Sequence, residues 1–271
     1  MGHRLSWGGR PLRHAGRIRI ASTPSAYIAW EDYNLIWRLL RRGPVEIEIN
    51  IRNAYSEKPV EVYNVSGEIE GSEKPDELVL LGAHLDSWDL GAGAPDDGAG
   101  TVAVLEAERA LIATRLKPKR TIRFVLFGGE EQGLIGSQAY VEAHRSEASK
   151  ISGVLVHDYG TGKILSIGLE ANFAAREAME KVIAPMQDLR LLDLSLRSNL
   201  FSDDHSSFDA AGVPGFWAIQ DPLDYNLIHH SASDTLDHIR EDDLVQGSQV
   251  LAAWSYNVAQ LPELLPRKKA P

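Results

Sequence analysis

From position 45 apolar and polar residues alternate. Val45, Ile47, Ile49 and Ile51 fall on one side and Glu46, Glu48 and Asn50 on the other, the period of a half-buried strand. Just upstream, residues 28–42 carry Leu35, Ile36, Leu39 and Leu40 at helical spacing. Glu31 and Asp32 lie early, Arg41 and Arg42 late, and Gly43 follows as a stop, so one amphipathic helix is expected there. A turn at Glu57-Lys58-Pro59 leads into a second strand over 60–69. Beyond it, short apolar runs predict strands at 78–83, 121–127, 154–157, 191–196 and 215–219, with a further apolar run at 164–169. Longer amphipathic stretches between them predict helices at 99–113, 134–144, 172–186 and from 242 to about 261. This alternation implies an α/β layer structure around a largely parallel central sheet. No internal repeat or low-complexity tract interrupts it.

The chain has 271 residues, 44% of them hydrophobic, enough for a sizeable core. Its 28 basic and 38 acidic residues leave a formal charge of −10, which argues against a nucleic-acid partner because phosphate binding needs a basic surface. There is no cysteine, so disulfides and thiolate-bound metal are excluded and any ion must be held by nitrogen and oxygen. No apolar run approaches a membrane span, and Met1 to Arg19 is Arg-rich without the apolar stretch of a secretory signal. As written, a cytoplasmic location is expected, or a secreted or periplasmic one if the true N-terminus is missing. Asn64-Val65-Ser66 matches a glycosylation acceptor, a pattern with meaning only in an exported chain.

Candidate chemistry gathers at the expected strand ends. His84 and Asp86 follow the run ending at Ala83, Glu130 and Glu131 follow the run ending at Phe127, and Asp158 follows the one ending at His157. In open α/β sheets ligands bind beyond the carboxyl ends of strands, so these segments are expected to share one cleft. Asp96-Asp97 in a glycine-rich loop and His230 complete the set. Two histidines and three carboxylates suit a pair of divalent ions, with one carboxylate left over as a base. Glu130 is the candidate general base, and Asp86, two residues from His84, the candidate support for its imidazole. His229 is a weaker candidate for a substrate contact.

Each residue taken singly has a structural explanation. An acidic pair usually opens a solvated helix, but Glu130-Glu131 follows an apolar run through Gly128-Gly129, a tight turn at a sheet edge. A calcium loop fails because Trp88 and Leu90 stand where oxygen ligands are needed, and a phosphate cradle fails for want of a lysine. Asp203-Asp204-His205 reads as a helix start capped by Ser202 or Asp203 rather than as a metal site. Phe201, Phe208 and Trp217 are candidate pocket walls. No H-E-x-x-H helix and no G-x-S-x-G elbow is present.

Together, Gly82-Ala83-His84-Leu85-Asp86-Ser87-Trp88-Asp89, Asp96-Asp97-Gly98, Pro118-Lys119-Arg120-Thr121, Glu130-Glu131-Gln132-Gly133, Ala211-Gly212-Val213-Pro214-Gly215 and His229-His230-Ser231 with Asp234-Thr235 resemble the co-catalytic di-zinc aminopeptidases and carboxypeptidases. The resemblance spans about residues 45–266. It implies a three-layer zinc-exopeptidase-like α/β fold, its central sheet mixed but largely parallel and flanked by helices. It implies two zinc ions per chain held by His84, Asp96, Glu131, Asp158 and His230, with Asp96 rather than Asp97 bridging them and Glu130 as base. It further implies hydrolysis of dipeptides or short peptides with a free amino end, through a hydroxide shared by the ions, and a homodimer. Residues 44–271 would be the catalytic domain, and residues 1–43 the tail of an inserted protease-associated domain or a disordered start plus one helix. Two other functions compete: a zinc-binding protein that kept the fold without turnover, and a two-metal hydrolase of another amide.

Overall fold

The computed structural model describes residues 26, 28–52, 54, 58, 60–191, 193–199 and 203–268. The Arg-rich start, the ends of the 57–59 turn, Phe201 and Ser202 lie outside the described residues. The chain divides into two units, Arg13–Glu61 and Met1–Leu12 with Val62–Pro271. Within the first unit the expected helix is α1, Trp30–Leu40, with Glu31 and Asp32 in its first turn. The strand expected at 45–51 does not form: residues 44–52 belong to no helix or strand, and Ile47, Ile49 and Ile51 are exposed. Alternation specifies a strand only where a neighbour supplies the ladder and a layer covers the apolar side, and this segment has neither among the described residues.

The second unit is built on seven strands: β1 Val65–Ile69, β2 Lys74–His84, β3 Arg120–Phe127, β4 Ile151–Val156, β5 Ile164–Gly168, β6 Asp193–Ser195 and β7 Gly215–Gln220. They lie in the order β1-β3-β2-β4-β7-β5-β6. Neighbours β3, β2, β4 and β7 run parallel, while β1 pairs antiparallel with β3 and β5 antiparallel with β7. The sheet is therefore mixed and largely parallel. The strand expected at 60–69 shortens to β1, since Val60 and Val62 find no cover and stay exposed.

Helices α2 Ala99–Thr114, α3 Ile135–Ala143, α4 Arg176–Ile183, α5 His205–Ala210, α6 Tyr225–Ile228 and α7 Glu241–Gln260 complete the unit. Successive side chains of a strand point to opposite faces, so β2 alone separates two cores. Val79, Leu81 and Ala83 pack with Ala103, Val104 and Ala107 of α2, Met179 of α4, and Leu251, Trp254 and Val258 of α7. Leu78 and Leu80 pack instead with Tyr140 of α3 and Phe208 of α5. Helices thus cover both faces of the sheet. The single helix expected at 172–186 is cut into three, because Pro185 has no N–H to continue α4 and the chain tightens to a 3₁₀ turn at Ala184–Leu189. Among the described residues no helix is long and apolar enough to cross a membrane.

One buried cation ties the sheet to its last helix. Arg120, fully buried at the start of β3, donates Nε to Glu77 at 2.6 Å and directs its other nitrogens at the carbonyls of Ala259, Leu261 and Pro262, where α7 ends. A guanidinium there satisfies carbonyls that a helix end leaves without N–H partners and complements the negative end of the helix dipole. Replacing Arg120 by Ala takes the guanidinium from the carbonyls of Ala259 and Leu261 and leaves Glu77 with Lys74 alone, 3.9 Å away. The expected loss of unfolding free energy is about 3 kcal/mol, read from urea denaturation. A loss below about 1 kcal/mol would show that the clamp carries no load.

Candidate metal centre

Four parallel neighbours, β3, β2, β4 and β7, end at the same edge of the sheet, and each delivers polar residues there. His84 is the last residue of β2. Glu130 and Glu131 follow β3, Asp158 follows β4, and His230 follows β7 and α6. Asp96 and Asp97 come from an irregular turn, Ala94–Gly98, between β2 and α2, closed by Gly98 N–H to Gly93 O at 2.9 Å. This is the strand-end crevice expected of an open α/β sheet.

The donor atoms converge in two groups joined by one carboxylate. His84 Nε2 lies 3.2 Å from both Asp96 Oδ1 and Asp158 Oδ1. His230 Nε2 lies 2.9 Å from Glu131 Oε2 and 3.5 Å from Asp96 Oδ2. Asp96 therefore turns one oxygen to each imidazole. Ligand atoms about a tetrahedral zinc are separated by about 3.3 Å, given bonds of about 2.0 Å, so these spacings match the edges of two such shells. Asp97 also stands near His84 and Asp158. Its two oxygens, however, accept backbone N–H groups of Gly100 at 2.9 Å and His84 at 3.1 Å. Gly100 has to be glycine, because a Cβ there would collide with Asp97 and the carbonyl of His157.

The electrostatics point the same way. Burial, with the charge of Asp158 next, pushes Glu130 up to about 9. Burial and Asp96 push Glu131 up to about 8, and burial lifts Asp158 to about 7 against the opposing pull of His84. Burial disfavours a charge on His84, yet Asp158 and Asp96 outweigh it and raise its pKa. So many desolvated acids around two imidazoles lack positive charge of their own. Glu131 Oε1 is buried with no hydrogen-bond partner. Oxygen and imidazole donors in this number, with cysteine absent, fit zinc.

Polar supports hold the donors. His84 Nδ1 meets the backbone oxygen of Asp86 at 2.8 Å, and Thr101 Oγ1 donates to His84 O at 2.7 Å. The Asp86 carboxylate, expected on the imidazole, sits 3.7 Å from Nδ1 and accepts the backbone N–H groups of Glu130 at 3.1 Å and Glu131 at 3.2 Å. It anchors the turn that carries both glutamates. Asn64 grips the base of that turn, accepting from Gly128 N–H at 3.1 Å and donating to Gly136 O at 2.9 Å. A glycan on its amide nitrogen would break the second bond, so the acceptor pattern in the sequence is a structural tie here. His229 stacks on Tyr225 with centroids 4.9 Å apart and lies 4.4 Å from the ring of His230, and its Nδ1 has no partner among the described residues. Trp88 meets His230 edge-on at 6.0 Å. The sequence reading passed over it, although it stands between the candidate ligands His84 and Asp96.

Asp203-Asp204-His205 opens α5, as expected, while the candidate cap Ser202 lies outside the described residues. Asp204 precedes α5 but makes no side-chain cap bond, and Asp203 pairs with His205 Nδ1. His205 Nε2 meets Glu170 Oε1 at 2.9 Å, and Glu170 also accepts from Ser198 Oγ and Asn199 N–H at 2.8 Å each. A carboxylate on either side of the ring leaves Asp203 a better partner in His205 than in the helix N–H groups. Asp204 is fully buried and burial lifts its pKa to about 8; nearby Ser137 Oγ opposes the rise, and it also lies within hydrogen-bond distance of Leu134 O and Ser207 Oγ. The candidate walls Phe208 and Trp217 are core residues: Phe208 packs against Phe127 and Tyr140, and Trp217 is 8% exposed.

Residues 64–255 match the family described as Peptidase family M28. Carboxypeptidase Q of Xenopus laevis is 36% identical over 252 residues, 92% of this chain and 52% of that protein. Carboxypeptidase Q of Homo sapiens is 34% identical, with 92% and 52% covered. The chain thus spans about half the length of the curated relatives it matches. Among solved structures, a Peptidase M28 precursor from Shewanella amazonensis SB2B is similar with a TM-score of 0.77 and 33% identity, over 89% of this chain and 54% of that one. A zinc aminopeptidase from Bacillus subtilis matches with a TM-score of 0.61 and 26% identity, over 72% and 49%.

The His205 pair makes stability depend on pH. Burial opposes its charge, but Asp203 and Glu170 raise the pKa from 6.5 to about 10. A pKa raised in the folded state adds stability that is full below the unfolded value and is lost as pH climbs through the folded one. The urea midpoint is expected to fall between pH 7 and 10, and to fall less in His205→Gln. Parallel pH curves for the two proteins would contradict the pairing.

Proposed function

The chain belongs to peptidase family M28, and from that premise we propose that it is a zinc-dependent exopeptidase acting on dipeptides or short peptides with a free amino end. The observation that carries the reading is Asp96, one oxygen facing His84 and the other His230. In this proposal Asp96 bridges two ions, His84 and Asp158 complete one ligand group, and Glu131 and His230 the other. Bound zinc supplies Lewis acidity and a water of lowered pKa, about 7.

The chain's own groups do the rest. Glu130 and Glu131 are adjacent, yet Glu131 points to His230 while the charges acting most on Glu130 are Asp158 and His84. Among the described residues the compact donor clusters include Glu131 but not Glu130, which supports leaving Glu130 free as the base. It takes the proton from the attacking water and returns it to the departing amine, a role for a carboxylate held beside the ligand groups but outside them. Asp86 fixes the main chain of Glu130 through its N–H, so the turn that carries the base cannot shift without breaking that bond. His229, whose pKa burial and His230 lower, stays neutral at pH 7 and offers an imidazole to the substrate.

Metal analysis of purified protein is expected to give two zinc ions per chain, and His230→Ala one. Glu130→Gln is expected to keep both ions and lose about 10²- to 10⁴-fold in kcat on a dipeptide. Equal rates for native, chelator-treated and Glu130→Gln protein would end the reading.

A further inference from the structure

Apolar side chains crowd the loop beyond β2. Leu85 is 46% exposed, Trp88 43% and Leu90 88%. Large apolar groups held in water beside a polar cleft mark a binding surface when something keeps them in place. Here the loop is pinned at both ends. Leu85 N–H bonds Phe127 O at 2.7 Å, and Ala92 N–H bonds Asp234 O at 2.7 Å. Gly91 packs so closely on Ser231 and Asp234 that a Cβ would sit 2.8 Å from Ser231 O. Leu90 takes a φ of 79°, a strained value for a side chain with a Cβ, which persists only where the surroundings fix it. Trp88 rides on this fixed loop.

Its indole lies edge-on to His230, 6.0 Å between centroids, and half of the His230 side chain is exposed while Nε2 faces Glu131. Trp88 is therefore one ring removed from the candidate ion, on the side open to solvent. Among the described residues the other candidate walls do not reach that side, Phe208 being 1% exposed and Trp217 8%, and Tyr225 beneath His229 is 6% exposed. We propose that Trp88 is a specificity-determining residue, the wall that seats a large apolar side chain of the substrate residue next to the cleaved bond. The preferred substrates are then peptides that begin with an aromatic or branched aliphatic residue rather than glycine. This rests on the exopeptidase reading. A side chain covering the indole leaves water together with it, whereas glycine gains nothing.

The test is calorimetric titration of the zinc-loaded full chain with free L-phenylalanine and with glycine, beside kinetics on phenylalanyl and glycyl dipeptides. Phenylalanine is expected to bind about tenfold tighter or more than glycine. Trp88→Ala should bring that ratio close to one and raise KM for the phenylalanyl dipeptide more than it lowers kcat, and Trp88→Phe should restore most of the preference. Equal binding of the two amino acids by the unaltered protein, or a ratio unchanged in Trp88→Ala, overturns the proposal. A protein that keeps the preference but cleaves no dipeptide sinks the exopeptidase reading and leaves the wall standing.

Discussion

Asp96 stands between two imidazoles, and much of the unit from Val62 onward is arranged so that it can. A carboxylate presenting one oxygen to His84 and the other to His230 needs both rings brought to the same place from opposite ends of the sequence. Parallel pairing of β3, β2, β4 and β7 does this, since it puts four strand ends on one edge. The arrangement is electrostatically costly. Glu130, Glu131, Asp158 and Asp204 all have raised pKa values with burial as the first cause, which means the folded chain alone does not solvate their charges. In the proposed reading divalent cations would offset that cost, and the donor set suits them.

Most of the architecture was legible because apolar periodicity reports burial. The runs that became β2, β3, β4 and β7 are covered on both faces, so they read as unbroken apolar stretches, and α2 and α7 showed their stripes. The reading failed at 45–51, where alternation was genuine but no partner strand exists among the described residues. It failed again at 172–186, where Pro185 was given too little weight. Both errors come from judging a segment without its neighbours.

The candidate site divides along the same line. His84, Glu131 and Asp158 were found because they stood just after apolar runs, while Asp96 and His230 entered to complete the donor set, Asp96 being preferred to Asp97 only through the family resemblance; the structure brings these five together. The groups that hold them were much harder to see. Asn64 works through its side-chain amide on Gly128 and Gly136, residues more than 60 positions away, and in the sequence resembled a glycosylation signal. Asp86 was named for the imidazole, yet its carboxylate serves two backbone N–H groups after β3. Asp203 looked like a cap because the preference of aspartate for helix starts is local, whereas its partner His205 is itself held by Glu170 from 35 residues upstream. Residue type and position along the chain reveal donors; they reveal little about which distant backbone atom a side chain will meet.

The wide separation of the donors also sets an order of events. His84, at the end of β2, and His230, beyond β7, are far apart in the sequence with Asp96, Glu131 and Asp158 between them, so no single hairpin or helix among the described residues carries a complete ligand group. In the proposed grouping, the ion held by His84, Asp96 and Asp158 would need only β2 and β4 in place, whereas the ion held by Glu131 and His230 would wait for β7 to dock onto β4; captured there, it would work as a late cross-link, closing loops that the polypeptide has already brought together.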